Sequence, residues 1–350
     1  MKLIHDPIHG HIELDDFALK LVDTPQFQRL RRITQLGLAY LAYPSARHTR
    51  FEHSLGTFYI ARVLASHNGS MEEGVEYAAL LHDIGHYPFS HTLEAIYPRH
   101  EDNTRRILAE GEIRDVIEER YSLGEFLKLL KHPAVSGDID ADRMDYLVRD
   151  AYYTGVGYGV VDLERLIRNL IYDGRSLLIG QKGIMAAQSL LLARSMMYPT
   201  VYQHHVSRIA SAMLVKAVEL EGIPYEEIRF MDEVDLIARL RESEREEVRE
   251  LVRAVDDRKL YKRVLYSREE LGRLEELRAL LEDEFGHLAL LDYPPKPKFE
   301  ERNAHVEGGG RLSEVSPLVR ALVELKDTHW RWGVYAREDV VERVRECLEL

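Results

Sequence analysis

The stretch Ala78–His86, with the sequence AALLHDIGH, places an imidazole and a carboxylate side by side at the end of an apolar segment. We predict a helix over Val75–Gly85, because Glu76–Leu81 would bury most of their surface. Burying His82 and Asp83 without partners would cost several kcal/mol. A divalent cation would satisfy both groups, and a hydrogen-bonded pair in the core is the alternative.

Two further residues turn this pair into a candidate metal site. His53 lies upstream in RFEHSLG (50–56), and Asp142 lies downstream in DIDADRMDY (138–146). Each falls on a different predicted helix, and a helical bundle can point such side chains inward. Two imidazoles and two carboxylates suit zinc, iron, manganese or nickel better than calcium, which prefers oxygen ligands. The single cysteine, Cys347, excludes a cysteine-based zinc site.

The composition is that of a soluble globular protein. Of the 350 residues, 45% are hydrophobic and 31% charged, and no run approaches the length of a membrane-spanning helix. An acid and Pro7 stand where a signal peptide would be apolar, so we expect a cytoplasmic protein. The net charge of −13 disfavours nucleic acid as a partner. Only 4 Asn and 6 Gln beside abundant Arg and Glu favour a thermophilic source, with compositional drift as the alternative.

The chain changes character near residue 221. Before this point the patterns predict consecutive helices, including one starting at Asp23-Thr24-Pro25 and one long helix over Ile184–Glu219. After Gly222-Ile223-Pro224 come charge-dense helices, a proline-rich connector and short predicted strands. We therefore predict a mainly α fold, with a helical domain over 1–221 and a smaller α+β part over 222–350.

Five sequence blocks together resemble one known family. They are Asp6–Gly10, Thr24–Leu30, Thr49–Gly56, His82–His91 and Asp140–Asp150. In this order, the blocks resemble those of the HD superfamily of metal-dependent phosphohydrolases. The resemblance is strongest to the branch of the sterile-alpha-motif-and-HD-domain deoxynucleoside triphosphate triphosphohydrolase. The resemblance covers nearly all of residues 1–220 and implies a helical HD-domain bundle.

The resemblance also implies roles for the residues of the metal site. His53, His82, Asp83 and Asp142 would bind one divalent transition metal, and Mg²⁺ would accompany the substrate phosphates. His86, Glu94, His100 and Glu101 would act on the phosphate ester beside the metal. Glu94 departs from the aspartate of the relative, which puts its reach in doubt. For His91 we favour a purely structural role at the turn after Pro88-Phe89-Ser90.

A substrate pocket and a second nucleotide site follow from the same resemblance. The positions that match substrate contacts are Arg50, Gln35, Leu36, Arg143, Tyr146, Asp150, Arg194, Tyr202 and Gln203. The positions that match a regulatory nucleotide site are Lys2, Asp23, Gln28, Arg31, Arg258 and Lys262. Such a site would accompany a homo-dimer or homo-tetramer. The alternative is that the Arg31 and Arg258 regions pack a constitutive dimer.

The expected activity is hydrolysis of deoxynucleoside triphosphates to the nucleoside and tripolyphosphate. Phosphomonoesterase or phosphodiesterase activity on another nucleotide or phosphate ester is the first alternative. A nucleotide-sensing protein without turnover is the second, although a degenerate binder would be expected to have lost one of the four metal ligands.

Overall fold

The structure is a computed structural model that describes residues 1–296, 304–325 and 329–349. Within these residues the fold is mainly α, as the sequence predicts. The α-helices are α1 (Asp16–Asp23), α2 (Pro25–Gln28), α3 (Arg50–His67), α4 (Val75–Leu81), α5 (His100–Leu108), α6 (Gly111–Glu118), α7 (Leu123–Leu129), α8 (Ala141–Thr154), α9 (Leu163–Arg168), α10 (Ile184–Met197), α11 (His205–Glu221), α12 (Tyr225–Ile228), α13 (Glu233–Arg241), α14 (Glu246–Asp256), α15 (Leu274–Phe285), α16 (Leu312–Val315), α17 (Pro317–Glu324) and α18 (Val341–Cys347).

Short strands form three small sheets in the same residues. The strands are β1 (Lys2–Asp6), β2 (Gly10–Leu14), β3 (Leu170–Tyr172), β4 (Leu177–Ile179), β5 (Lys262–Ser267), β6 (Ala289–Asp292), β7 (His305–Val306) and β8 (Trp332–Ala336). β1 and β2 form an antiparallel hairpin. β4 pairs antiparallel with β3 and parallel with β7. β8 lies between β5 and β6, antiparallel to both.

Side-chain caps fix the starts of the helices that carry the site. Thr49 and Glu52 form a capping box at the start of α3. Asp140 accepts a hydrogen bond from the Arg143 amide at the start of α8. Thr24 caps α2 ahead of Pro25, as the sequence predicts. These caps set where α3 and α8 begin, and therefore which residues of their first turns face the site.

The single helix predicted over Ile184–Glu219 is wrong. α10 ends at Met197, a π-helical turn covers Tyr198–Tyr202, and α11 begins at His205. Pro199 lacks the amide that would continue the helical hydrogen bonds, and His204 caps the next helix. The break places Tyr202 in a turn rather than in the middle of a helix.

Three hydrophobic clusters form the core. The first holds α3, α4, α8 and α10, together with Val306, Leu312 and Val319 from the C-terminal part. The second joins α11 to α13 and α14 and includes Phe89. The third lies around Trp330 and Trp332. The predicted division at residue 221 stays a prediction, and the first two clusters draw residues from both sides of it. None of the described helices is long and apolar enough to cross a membrane.

Candidate metal centre and active site

The four predicted metal ligands, here called the ligand group, meet where α3, α4 and α8 pack together. His53 comes from α3, His82 and Asp83 directly follow α4, and Asp142 lies in the first turn of α8. Asp142 Oδ1 lies 3.1 Å from His53 Nε2 and 3.5 Å from His82 Nε2. Asp83 Oδ1 lies 3.2 Å from His82 Nε2, and its Oδ2 lies 3.5 Å from His53 Nε2. The side chains of His82 and Asp142 are 12% and 28% exposed, so the group opens toward solvent on their side.

The hydrogen bonds of the two histidines fit metal binding. His53 Nδ1 lies 2.8 Å from Asp145 Oδ2, and His82 Nδ1 lies 2.7 Å from the Ala79 carbonyl oxygen. Both partners are acceptors, so each ring donates from Nδ1 and turns the lone pair of Nε2 inward. Both Nε2 atoms are buried without a hydrogen-bond partner among the described residues. Metal-binding histidines are typically held in this way, so these residues fit a divalent cation.

Electrostatics point to a positive charge in the middle of the ligand group. Burial lowers the pKa of His53, but Asp142 and Asp145 outweigh it and raise the pKa to about 10. Burial raises the pKa of Asp142, but His53 and His82 bring it below its usual range. The carboxylates that hold a proton on these rings would equally hold a divalent cation between them.

A second group of titratable side chains, the histidine cluster, stands beside the ligand group. It consists of His86, His91, Glu94 and His100, whose ligand-type atoms lie within 4.8 Å of one another. The rings of His86 and His100 stack at a centroid distance of 3.9 Å. His86 Nε2 lies 3.4 Å from Asp83 Oδ1, which links the cluster to the ligand group.

Glu94 organises the histidine cluster. Its Oε1 lies 2.5 Å from His100 Nδ1 and 3.0 Å from His91 Nδ1, so both rings donate to one carboxylate oxygen. Burial raises the pKa of Glu94, but these two hydrogen bonds lower it well below its usual range. Glu94 therefore reaches both His91 and His100. Glu101 stands farther out, with Oε2 3.5 Å from His100 Nδ1 and its other oxygen bound to Arg99.

The loop of residues 82–91, which follows α4, approaches α5 closely. A Cβ on Gly85 would lie 2.2 Å from the Thr104 amide nitrogen and 2.5 Å from the His100 carbonyl oxygen, so only glycine permits this approach. Phe89 and Ser90 both have positive φ, 60° and 57°, which turns the chain back on itself. This turn carries His91 to within 4.7 Å of the His86 ring. His91 thus lies beside His86 and pairs with Glu94, and the structural role predicted for it stays a prediction.

The predicted phosphate-binding arginines border the ligand group and are already partnered. Arg50 is buried, and it donates to Asp83 Oδ2 at 2.5 Å, to Ser90 Oγ at 2.9 Å and to the Gln35 carbonyl oxygen at 3.3 Å. Arg143 donates to the Gly137 carbonyl oxygen and to Asp140, and its buried Nε has no partner among the described atoms.

A wall of aromatic and acidic side chains continues from the ligand group. The Tyr146 ring stands 6.4 Å from the His53 ring and 6.3 Å from the Tyr202 ring. The Tyr202 hydroxyl donates to Asp150 Oδ2 at 2.8 Å, and His48 Nε2 lies 2.8 Å from Asp150 Oδ1. The sequence does not predict this role of His48, a buried histidine that contacts the other oxygen of Asp150.

The remaining predicted pocket residues lie around this wall. Burial raises the pKa of Tyr146, while the charges of Arg194 and Arg143 lower it. Gln35 is buried with Oε1 unpartnered among the described residues, and Leu36 is half-buried next to it. Gln203 ends the π-helical turn, directly after Tyr202.

The residues of the predicted regulatory site are exposed or bonded to other residues of the chain. Gln28 accepts a hydrogen bond from Arg31 at 2.7 Å, near the exposed Asp23. Lys2 is exposed on β1. Arg258 donates to the Leu41 carbonyl oxygen at 3.0 Å, and Lys262 lies 3.6 Å from Glu338. These positions leave the regulatory site a prediction.

A glutamate from the C-terminal part anchors the loop that carries Ser90. Glu233, at the start of α13, accepts hydrogen bonds at Oε1 from the amide and hydroxyl of Thr34, both at 2.6 Å, and from the Phe89 amide at 3.2 Å. Burial raises the pKa of Glu233 to about 7 in spite of these hydrogen bonds. The carboxylate therefore titrates near neutral pH in the folded protein.

We expect Glu233→Gln to make stability less dependent on pH. The folded pKa of about 7 exceeds the ordinary value of 4.5, so the folded state holds its proton more tightly. The free energy of unfolding therefore falls as pH rises through this range, by about 1–3 kcal/mol. Urea unfolding at about pH 5 and about pH 8 measures the change, and the exposed Glu244→Gln variant is the control. The prediction would be contradicted if the free energy of unfolding fell between these two pH values as much in Glu233→Gln as in the parent.

Comparisons with known proteins agree with this geometry. The HD domain family matches residues 50–150, and the HD associated region matches residues 161–349. An uncharacterized protein of Methanocaldococcus jannaschii is 39% identical over 376 residues, which cover 99% of this chain and 81% of its own. Human deoxynucleoside triphosphate triphosphohydrolase SAMHD1 is 29% identical over 301 residues, which cover 67% of this chain and 48% of its own. The alignment thus spans about half the length of that relative.

Solved structures share the whole fold. The crystal structure of a hypothetical protein from Aquifex aeolicus has a TM-score of 0.80 at 32% identity and covers 99% of both chains. A phosphohydrolase from Bacteroides thetaiotaomicron has a TM-score of 0.75 at 28% identity, covering 97% of this chain and 100% of its own. The chain belongs to the HD-domain superfamily and is an HD-type phosphohydrolase. Within that superfamily it resembles the deoxynucleoside triphosphate triphosphohydrolase branch.

Proposed function

We propose that this protein hydrolyses deoxynucleoside triphosphates to the deoxynucleoside and tripolyphosphate. The observation that carries the proposal is the wall of Tyr146, Tyr202 and Asp150, which begins 6.4 Å from the ring of a predicted metal ligand. A small phosphate monoester would need only the metal and nearby cations. Two aromatic rings, one of them held by Asp150, offer a nucleoside an apolar surface beside the predicted metal.

In the proposed reaction, the ligand group and the histidine cluster have different tasks. The ligand group would hold the divalent metal, which lowers the pKa of a bound water and offsets charge on the phosphoryl oxygens. In the proposed hydrolysis, water adds to the α-phosphorus and the bond to the sugar O5′ breaks. That oxygen takes up a proton, which His86 or His100 would supply. Arg50, Arg143 and Arg194 would bind the phosphates, with Mg²⁺ on the phosphates themselves.

An assay with dGTP and Mn²⁺ tests the proposal. We expect deoxyguanosine and tripolyphosphate in equal amounts, separated by ion exchange. In ¹⁸O-labelled water the label should appear in tripolyphosphate and not in the nucleoside, because the P–O bond breaks. Release of orthophosphate or of a nucleoside monophosphate would contradict the proposal and favour the other phosphoesterase activities. Binding of dGTP without product would favour a nucleotide sensor.

The metal's identity and the state of assembly are also proposals. Two imidazoles and two carboxylates support zinc, iron, manganese or nickel. We further propose a homo-dimer or homo-tetramer, because the resemblance implies a regulatory nucleotide site that accompanies such an assembly. Sedimentation with and without dGTP tests this assembly.

A further inference from the structure

The hairpin of β1 and β2 reaches into the core beneath the ligand group. At its turn, Asp6 Oδ1 accepts hydrogen bonds from the amides of Ile8 at 2.9 Å and His9 at 2.8 Å. This local bonding fixes the turn and directs His9 inward. The His9 side chain is only 5% exposed, and its ring lies 5.0 Å from the ring of Tyr59. The side chain of a histidine on a hairpin turn is thus almost wholly buried.

The His9 side chain contacts Asp145, whose carboxylate orients the predicted metal ligand His53. Its Nε2 lies 2.6 Å from Asp145 Oδ1, and Asp145 Oδ2 lies 2.8 Å from His53 Nδ1. Arg149 donates to both oxygens of Asp145, at 2.9 Å each. Asp145 is fully buried and accepts four hydrogen bonds, which leaves it a single orientation.

The same arginine closes the network back to the hairpin. Arg149 Nη1 donates to Asp6 Oδ2 at 2.8 Å, so the hairpin contacts α8 both through Asp6 and through His9. Gly56 on α3 leaves room for this arrangement, since a Cβ there would lie 1.9 Å from Asp145 Oδ1. The network therefore depends on close packing from three separate parts of the chain.

We propose that His9 is a positioning residue for the metal site, acting on His53 through Asp145. The inference rests on the proposed metal site, but not on the identity of the substrate. Asp145, as the partner of His53, fixes the tautomer and direction of that imidazole, and His9 in turn fixes Asp145; disturbing such partners typically costs about 10–100-fold in metal affinity. His9 lies outside both matched family regions, which begin at residues 50 and 161.

The test is Mn²⁺ affinity, measured by the electron paramagnetic resonance of free Mn²⁺ in a titration of the full chain. His9→Phe keeps the aromatic contact with Tyr59 but removes the donor, and we expect it to weaken binding about 10-fold or more. His9→Gln can donate from its amide and should restore the affinity to within about 3-fold of the parent. His11→Phe is the matched control, because His11 is exposed on the same hairpin and its ring contact is with His5.

The outcomes separate this inference from the proposed function. Parent-like Mn²⁺ affinity in His9→Phe would overturn it. So would failure of both His9→Phe and His9→Ala to fold by circular dichroism, because His9 would then serve folding rather than the metal. A parent that binds no Mn²⁺ would overturn the metal site and this inference together. A parent that binds Mn²⁺ but leaves dGTP intact would contradict only the proposed substrate.

Discussion

Asp83→Ala is expected to remove stoichiometric metal and at least about 10³-fold of the hydrolytic rate. Asp83 lies within 3.5 Å of both His53 and His82 and also holds Arg50 beside the site. A bound metal stabilises the charge of the transition state by about several kcal/mol, and each ~1.36 kcal/mol corresponds to a tenfold change in rate. Metal content by mass spectrometry and dGTP turnover measure the two losses.

Two further variants make the Asp83 experiment decisive. Asp83→Asn keeps the volume and a hydrogen-bond acceptor for Arg50, so it separates loss of the metal ligand from loss of packing. Asp102→Ala removes an exposed acid that pairs with Arg105 on α5, and it should retain parent metal content and rate. Full metal content and parent turnover in Asp83→Asn would show that the ligand group is wrongly assigned.

Glu94→Gln should lower kcat by about 10²–10³-fold while leaving metal content unchanged. The carboxylate accepts from His91 and His100 through one oxygen, and a neutral amide holds two such donors less strongly. The rings would lose their fixed direction toward the substrate, whereas Glu94 contributes nothing to the ligand group itself. Steady-state kinetics with dGTP, with metal content measured in parallel, check the prediction.

The matched variant for this experiment is Glu94→Asp. It keeps the charge but shortens the side chain, so we expect a rate between those of the parent and Glu94→Gln. A parent-like kcat in Glu94→Gln would mean that the histidine cluster does not act in the reaction. A loss of metal in Glu94→Gln would instead place the cluster within the metal site.

The sequence predicts the helical class and the membership of the family, because both rest on local patterns. The apolar segment of α4 and the cap of Thr24 ahead of Pro25 are visible along the chain. The residues of the ligand group also stand in recognisable blocks, and the structure brings all four together. That they bind metal stays a prediction.

The features of the site that could not be predicted from the sequence depend on contacts between residues far apart in the chain. His91 joins His86 and His100 only because Phe89 and Ser90 take positive φ, a conformation that neither residue type favours. The bond between His9 and Asp145 spans 136 positions and has no periodic pattern. The spacing of Asp142 and Asp145, one turn apart on α8, is the signal from which Asp145 could have been found. Pro199 was likewise a visible sign that the helix over Ile184–Glu219 would break.

The first hydrophobic cluster combines residues far apart in the chain, and this affects folding during synthesis. α10 packs against α17, and the cluster includes Leu312 and Val319, about 120 residues after the end of α10. At a synthesis rate of about 5–20 residues per second, an apolar face of α10 stays uncovered on the ribosome for on the order of ten seconds. The helical core is therefore completed only after about 120 further residues have been synthesised, and during this interval the exposed face of α10 is a site that a chaperone could bind.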